Sequence, residues 1–250
     1  MKKYSSYSVR EVSKNITFKF LAYLLLKMRK TIKILENADT REKYWNSYYH
    51  GNSAPNIPSQ FAVFFANEIT PDSLVVELGS GNGRDSMFFA TQFEYVCGID
   101  GSDTAIASCT ANSDEHGFRN IDFIHAMIDE TDLYKKIEDK ILKVSHDAPV
   151  YIYSRFFLHS INEWDEDQLI KLMDKLLQNR RGGIFMEFRT EEDETLSKYT
   201  ATHFRRYVNP ETLIAKFSRF GFKVNYHVEG TGFAKYRTDD AHVARLFLAK

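Results

Sequence analysis

The sequence predicts an α/β fold built on a doubly wound, mostly parallel sheet, and three observations carry that expectation. From residue 74 onward, short β-rich runs alternate with helical patterns. Continuous apolar stretches such as Leu74-Val75-Val76 suit parallel strands covered by helices on both faces. Near the C-terminus two strand-like stretches follow each other without a helical pattern between them, which predicts a closing antiparallel hairpin.

Taken in order, residues 1–50 read as a helical, lysine-rich extension, and the turn-forming residues 51–59 mark the boundary to a domain over 51–250. The apolar run at 20–26 is too short for a membrane span, which takes about 20 residues. It is expected to pack on the domain or to pair with a second copy as a homodimer. A weak membrane-surface contact through Lys14, Lys19, Lys27, Arg29 and Lys30 is the alternative. Strands are expected at 74–78, 95–99, 121–125, 150–154, 183–188, 222–229 and 242–248, seven in all. Helices are expected at 85–91, 103–116, 165–179 and 210–220.

The bulk properties exclude several classes. With 33 basic and 34 acidic side chains, overall charge gives no reason to expect a nucleic-acid partner. Cys97 and Cys109 have the spacing of neither a zinc site nor a disulfide framework, which suggests a reducing, cytoplasmic setting. None of the eight histidines has metal-ligand spacing with acidic partners, so no metal is expected.

The chemistry-bearing motif follows the first strand: Glu77-Leu78-Gly79-Ser80-Gly81-Asn82-Gly83-Arg84-Asp85. Glycines at a strand-to-helix turn let the chain bend tightly and let a ligand approach where a Cβ would collide. A dinucleotide fingerprint starting at Gly79 would need glycine at position 84, where Arg84 stands. A second acid, Asp100, ends the next strand 23 residues after Glu77, followed by Gly101 and Ser102. A carboxylate there can accept both hydroxyls of a ribose.

The pattern acid-x-G-x-G-x-G, with Asp100 beyond it, resembles motif I of the class I S-adenosylmethionine-dependent methyltransferases over roughly residues 59–250. That resemblance implies a Rossmann-like sheet and S-adenosylmethionine as cofactor. The loop residues Glu77, Gly79, Ser80, Gly81, Asn82, Arg84 and Asp85 would hold its methionine portion. Asp100, Gly101 and Ser102 would hold its ribose; Met127 and Ile128, with Ala126, would flank its adenine, and Ser154 would also belong to the cofactor site. The segment before the first strand, including Trp45, Tyr48, Tyr49, Ser59, Gln60 and Phe61, would fold over the cofactor as a lid; the plainer reading makes these aromatics core. His125 is expected to be packed near the adenine.

Several phrases resemble a narrower group of bacterial surface-polysaccharide methyltransferases, which includes O-antigen chain-terminating enzymes and capsule enzymes that make O-methyl phosphoramidate. They are Pro58-Ser59-Gln60-Phe61-Ala62, Gly81-Asn82-Gly83-Arg84-Asp85-Ser86, Tyr153-Ser154-Arg155-Phe156-Phe157-Leu158-His159, Glu187-Phe188-Arg189 and Glu229-Gly230-Thr231-Gly232-Phe233-Ala234-Lys235-Tyr236. This implies an anionic or nucleotide- or sugar-linked small-molecule acceptor. Ligands of doubly wound sheets bind outside the carboxyl ends of the strands, where Arg155, His159, Arg189, His203 and Arg206 fall. The arginines suit an anionic oxygen, and His159 or His203 suits a hydroxyl that needs a base. The plainer reading pairs Arg189 with Glu187, Glu191 or Glu192 and puts Arg205 and Arg206 on a solvated helix. Two other functions stay open: a thiol- or tellurite-type methyltransferase, and a non-catalytic cofactor-binding partner of a polysaccharide assembly.

Overall fold

The computed structural model describes residues 42–50, 56–198 and 204–250, so the apolar run at 20–26, its flanking basic residues and His203 lie outside the described residues. One compact unit spans Tyr44–Lys250. It therefore takes in residues 44–50, which the expected boundary had assigned to the extension.

The expected alternation is present. After the helical stretch α1 (residues 42–50) come α2 (Gln60–Glu68), β1 (Leu74–Leu78), α3 (Arg84–Ala90), β2 (Tyr95–Asp100), α4 (Asp103–Glu115) and β3 (Ile121–His125). Then follow α5 (Leu133–Val144), β4 (Val150–Arg155), α6 (Glu163–Leu176), β5 (Gly182–Arg189), α7 (Pro210–Ser218), β6 (Lys223–Gly230), β7 (Lys235–Tyr236), β8 (Asp239–Asp240) and β9 (Val243–Ala249).

Seven strands form one sheet in the order β3-β2-β1-β4-β5-β9-β6. The first five run parallel, and β9 is antiparallel to both β5 and β6. The order reverses direction beside β1, where β1 pairs with β2 on one side and β4 on the other. That switch point leaves a crevice at the carboxyl ends of β1, β2 and β4, the place where such sheets bind ligands.

Three features were not expected. Helix α2 lies between the turn segment and β1, where no helical pattern is expected, and buries Phe61, Ala62 and Phe65. α5 carries Leu133, Ile137 and Ile141 at the spacing of one buried helix face, diluted by charged neighbours. The connection between β6 and β9 also carries its own two-stranded hairpin, β7–β8.

The central strands are apolar because helices cover both sides. On one face Val76, Ile152, Ile184 and Leu246 pack with Leu169, Met173 and Leu176 of α6. On the other, Val75, Tyr153 and Phe185 pack with Phe61 and Phe65 of α2 and Phe89 of α3. Among the described residues no helix is long and apolar enough to cross a membrane.

Candidate active site

Leu78 ends β1, and the chain turns through Gly79 and Gly81, both at positive φ (80° and 55°), before α3 starts at Arg84. A Cβ on Gly79 would lie 2.7 Å from the Phe157 ring, and one on Gly81 would overlap the Tyr49 hydroxyl. Glycine is therefore required at both points by conformation and by space. The amides of Gly79 and Ser80 both donate to the Ile99 carbonyl, at 2.9 and 3.0 Å, which ties the loop to β2. From beneath, the Cys109 thiol donates to the Gly81 carbonyl at 3.2 Å.

Asp100 stands at the carboxyl end of β2, next to this loop. The Gly81 amide donates to its Oδ2 at 2.8 Å and the Ser102 amide to its Oδ1 at 2.9 Å. Burial raises its pKa, against the pull of the Ser102 and Gly81 amides, so the group is held by directed donors in a poorly hydrated place. Met127 lies over the following turn, its Sδ 2.5 Å from where a Cβ on Gly101 would stand, and Ile128 is half-buried beside the core. Ser154 is buried at the end of β4, level with Leu78.

Helix α1 lies against this cleft. The Ser102 hydroxyl donates to Asn46 Oδ1 at 2.5 Å, and Tyr49 reaches Gly81. Burial, and then the Asp100 carboxylate, push the Tyr49 phenol well above its ordinary pKa. One turn earlier, Trp45 packs on His159, with ring centroids 6.3 Å apart. One short helix thus touches the glycine loop, the β2 turn and the turn after β4.

That last turn, a single 3-10 turn at Leu158–Ser160, follows the strained residue Phe156, at φ 52°. A non-glycine residue in this region costs on the order of 1–3 kcal/mol and is retained where the surroundings fix it. Arg155 Cζ lies 4.2 Å from the Phe156 ring centroid, and the Phe156 amide donates to the Glu187 carbonyl at 2.8 Å. The buried Glu187 carboxylate is shared: Arg155 Nε donates to Oε1 at 2.8 Å and Arg245 Nε to Oε2 at 2.7 Å. The terminal nitrogens of Arg155 make no hydrogen bond among the described residues, and its side chain is 15% exposed.

The sequence model of a family described as a methyltransferase domain matches residues 69–206. The chain belongs to that methyltransferase family. The fold of the methyltransferase is similar to a SAM-dependent methyltransferase from Anabaena variabilis, at 20% identity and a TM-score of 0.64, covering 84% of this chain and 93% of that one. It is also similar to phosphoethanolamine N-methyltransferase 1 of Haemonchus contortus, at 12% identity and TM-score 0.62, covering 86% of this chain and 49% of that one. A third similar structure is a TehB-like SAM-dependent methyltransferase from Corynebacterium glutamicum, at 12% identity and TM-score 0.57, covering 84% and 97% of the two chains. No curated protein matches in sequence.

The cofactor of the methyltransferase is S-adenosylmethionine. The residues fit this group on two observations. Ser80 Oγ, in the middle of the glycine loop, is buried and makes no hydrogen bond among the described residues. Asp100 keeps further lone pairs beyond the two amides it accepts, at the height of the loop.

The structure separates the expected site residues into two groups. Gly79, Ser80, Gly81, Asp100, Gly101, Ser102, Met127, Ser154 and Tyr49 stand about the cleft at the carboxyl ends of β1 and β2, while Asn82 and Arg84 carry the loop on into α3 and Ile128 packs beside the core. Glu77, Asp85 and Phe61 face the interior instead. Glu77 accepts from the Ser86 hydroxyl, and burial together with the nearby Asp85 carboxylate raises its pKa well above the usual range. Asp85 is taken up by Ser59 and Tyr153, and Phe61 is stacked on Tyr153 at 5.1 Å in the core. These three hold the loop's foundations, and Phe61 is core, not lid.

Two of the expected acceptor residues also have other work. Arg189 Nη1 donates to Asp193 at 2.6 Å and its Nη2 to Asp239 at 2.8 Å, binding the β7–β8 hairpin to the end of β5. Its partners are neither Glu187 nor Glu191 nor Glu192. Arg206 lies on no solvated helix; it is tied to Glu166 and to backbone carbonyls. His125 is exposed, its ring within 3.1 Å of the Gly101 carbonyl, and not packed as expected. The sequence reading missed Asn46, Cys109 and Arg245. Only Arg245 had left a signal, as a lone arginine inside the apolar strand Val243–Ala249, where an unpaired charge is not tolerated.

Proposed function

We propose that this methyltransferase O-methylates a phosphoryl, phosphoramidate or sugar hydroxyl group of a capsule or O-antigen precursor. The observation that carries the reading is Arg155. Its Nε is committed to Glu187, while its terminal nitrogens are left to meet an anionic oxygen beyond the cofactor cleft.

S-adenosylmethionine, when bound, supplies a methyl group activated by its sulfonium sulfur. The chain then has to align an acceptor oxygen with that methyl and keep water out. In this reading Asp100 accepts the ribose hydroxyls, the backbone of Gly79–Ser80–Gly81 and the Ser80 hydroxyl hold the methionine portion, and Met127 and Ile128 flank the adenine. Helix α1 acts as the lid. An anionic acceptor oxygen needs only the Arg155 guanidinium, whereas a hydroxyl acceptor would give up its proton to His159. Burial acts to lower the Arg155 pKa, but the Glu187 carboxylate beside it raises it, so the charge is permanent.

The test is a screen of phosphorylated and nucleotide-linked sugars with methyl-labelled donor, run on the full chain and on Arg155→Met. The variant is expected to lose about 30-fold or more in kcat/KM, since removing one partner of a desolvated charge pair costs about 2–5 kcal/mol. Undiminished turnover by Arg155→Met would sink the clamp and favour a soft acceptor such as a thiol or tellurite, which needs no cation.

A further inference from the structure

Arg206 was expected to bind the acceptor, and its geometry points elsewhere. Its Nε donates to the Ile161 carbonyl at 3.1 Å and its Nη2 to the Leu158 carbonyl at 3.3 Å. Its own amide donates to the His159 carbonyl at 2.9 Å. One residue therefore holds the backbone of the turn that carries His159 at three points: before it, at it and after it.

The anchor behind Arg206 is equally specific. Glu166, on the first turn of α6 and 3% exposed, accepts from Arg206 Nη2 at 2.5 Å and from Lys216 of α7 at 2.6 Å. Two residues further on, the Val208 amide donates to the Arg189 carbonyl at 3.1 Å, fixing this segment against the end of β5. The guanidinium is thus oriented from both sides. A planar fork with five donors suits this work, and a lysine ammonium could not span the same carbonyls.

What this turn presents is the His159 ring, buried between Trp45 of α1, at 6.3 Å between centroids, and Phe156, at 5.8 Å. A 3-10 turn of three residues has little hydrogen bonding of its own to hold such a ring in place. We propose that Arg206 is a positioning residue: it fixes the turn that aims His159, and it does not bind the acceptor. The inference rests on the reading above in one respect, that His159 belongs to the acceptor side of the cleft.

The chain has two tryptophans, so a Trp164→Phe background, excited at the red edge where tyrosine does not absorb, leaves Trp45 as the only emitter, beside His159. In that background Arg206→Lys and Arg206→Met are compared at one fixed pH. Four readouts are taken: S-adenosylhomocysteine affinity by calorimetry, Trp45 emission, the long-range proton–nitrogen signals of the His159 imidazole (assigned through His159→Gln), and titration with inorganic phosphate. The expectation is cofactor affinity within twofold of the parent, displaced imidazole signals and altered Trp45 emission in both variants, and unchanged phosphate affinity. Unmoved imidazole signals would overturn the proposal, as would loss of phosphate affinity with those signals intact, which would make Arg206 a clamp. Should Arg206→Met fail to fold, Arg206→Lys and Glu166→Gln decide by the same readouts. Failure of the proposed acceptor chemistry would instead appear in Arg155→Met, whose result is independent of the His159 signals.

Discussion

Ser59 engages both oxygens of Asp85: its amide donates to Oδ1 and its hydroxyl to Oδ2, each at 2.7 Å, across 26 residues of sequence. The same hydroxyl accepts from the Ala62 amide at 3.0 Å and so caps α2. Tyr153 completes the cluster with a hydrogen bond to Asp85 Oδ2 at 3.0 Å. The start of α2, the first turn of α3 and the middle of β4 are thereby joined under the glycine loop. Ser59→Ala removes a helix cap and one of the donors to a buried carboxylate. The expected loss is about 1–3 kcal/mol, read as a lower urea midpoint at unchanged slope. A loss under about 0.5 kcal/mol would mean that Tyr153 and the backbone satisfy Asp85 unaided.

Gly81 offers a test in which the two reasons for glycine separate. Gly81→Ala meets a left-handed backbone, costing about 1–2 kcal/mol, and also an overlap with the Tyr49 hydroxyl. Removing that hydroxyl in Gly81→Ala/Tyr49→Phe relieves the second penalty alone. The double variant is therefore expected to bind S-adenosylhomocysteine more tightly than Gly81→Ala, and calorimetry on the four proteins of the cycle measures the coupling. Simple additivity would show that Tyr49 does not press on the loop.

The legible part of this protein was the part that periodicity and turn chemistry control. Strands β1 and β3 lie at the residues expected, the other strands of the seven-stranded sheet differ by one position at one or both ends, and the glycine turn and Asp100 meet at one cleft. Illegible were the pairings between side chains far apart in sequence. Nothing local distinguishes Asp85, which faces inward to Ser59, from Asp100, which faces the cleft, since both are single acids beside a glycine-rich turn. Arg155, Arg189 and Arg206 likewise look equivalent in sequence. They part company only through Glu187, Asp193 with Asp239, and Glu166, placed opposite them by strand register and helix packing. α5 was missed although Leu133, Ile137 and Ile141 recur every four residues, because charged neighbours flatten its average hydrophobicity.

Glu187 is in contact with Arg155 and Arg245 at once, and it is almost fully buried. Glu187→Gln keeps the shape and removes the charge, leaving two guanidiniums near each other without a counter-ion. Breaking a buried pair in this way costs about 3–5 kcal/mol, so a large drop in thermal midpoint is expected. Arg245→Met is expected to cost less, since Arg155 still neutralises the acid. Equal losses from the two variants would show that the charge of Glu187 is not what stabilises the cluster.

Both cysteines are fully buried, and burial pushes the Cys97 thiol up to about 12, with the Asp122 carboxylate adding to the effect. Cys109 is raised too, by burial first and then by Asp100 and Glu77. An ordinary thiol titrates near 9, so above that pH the unfolded chain releases protons that the folded chain retains. The folded state then binds more protons than the unfolded one, and stability must fall as pH rises from 9 toward 12, by about 1.4 kcal/mol per unit for each thiol. Below pH 9 the two states bind equally and these groups contribute no slope. Urea unfolding at half-unit steps from pH 8 to 11 measures this, and the difference between the parent and Cys97→Ala isolates one thiol from the tyrosines and lysines that titrate nearby. The parent is expected to lose stability more steeply than the variant, and its thiols are expected to resist aromatic disulfide reagents at pH 8 until urea opens the fold. Parallel curves would mean that the Cys97 thiol is as free to ionise in the folded protein as in the unfolded chain.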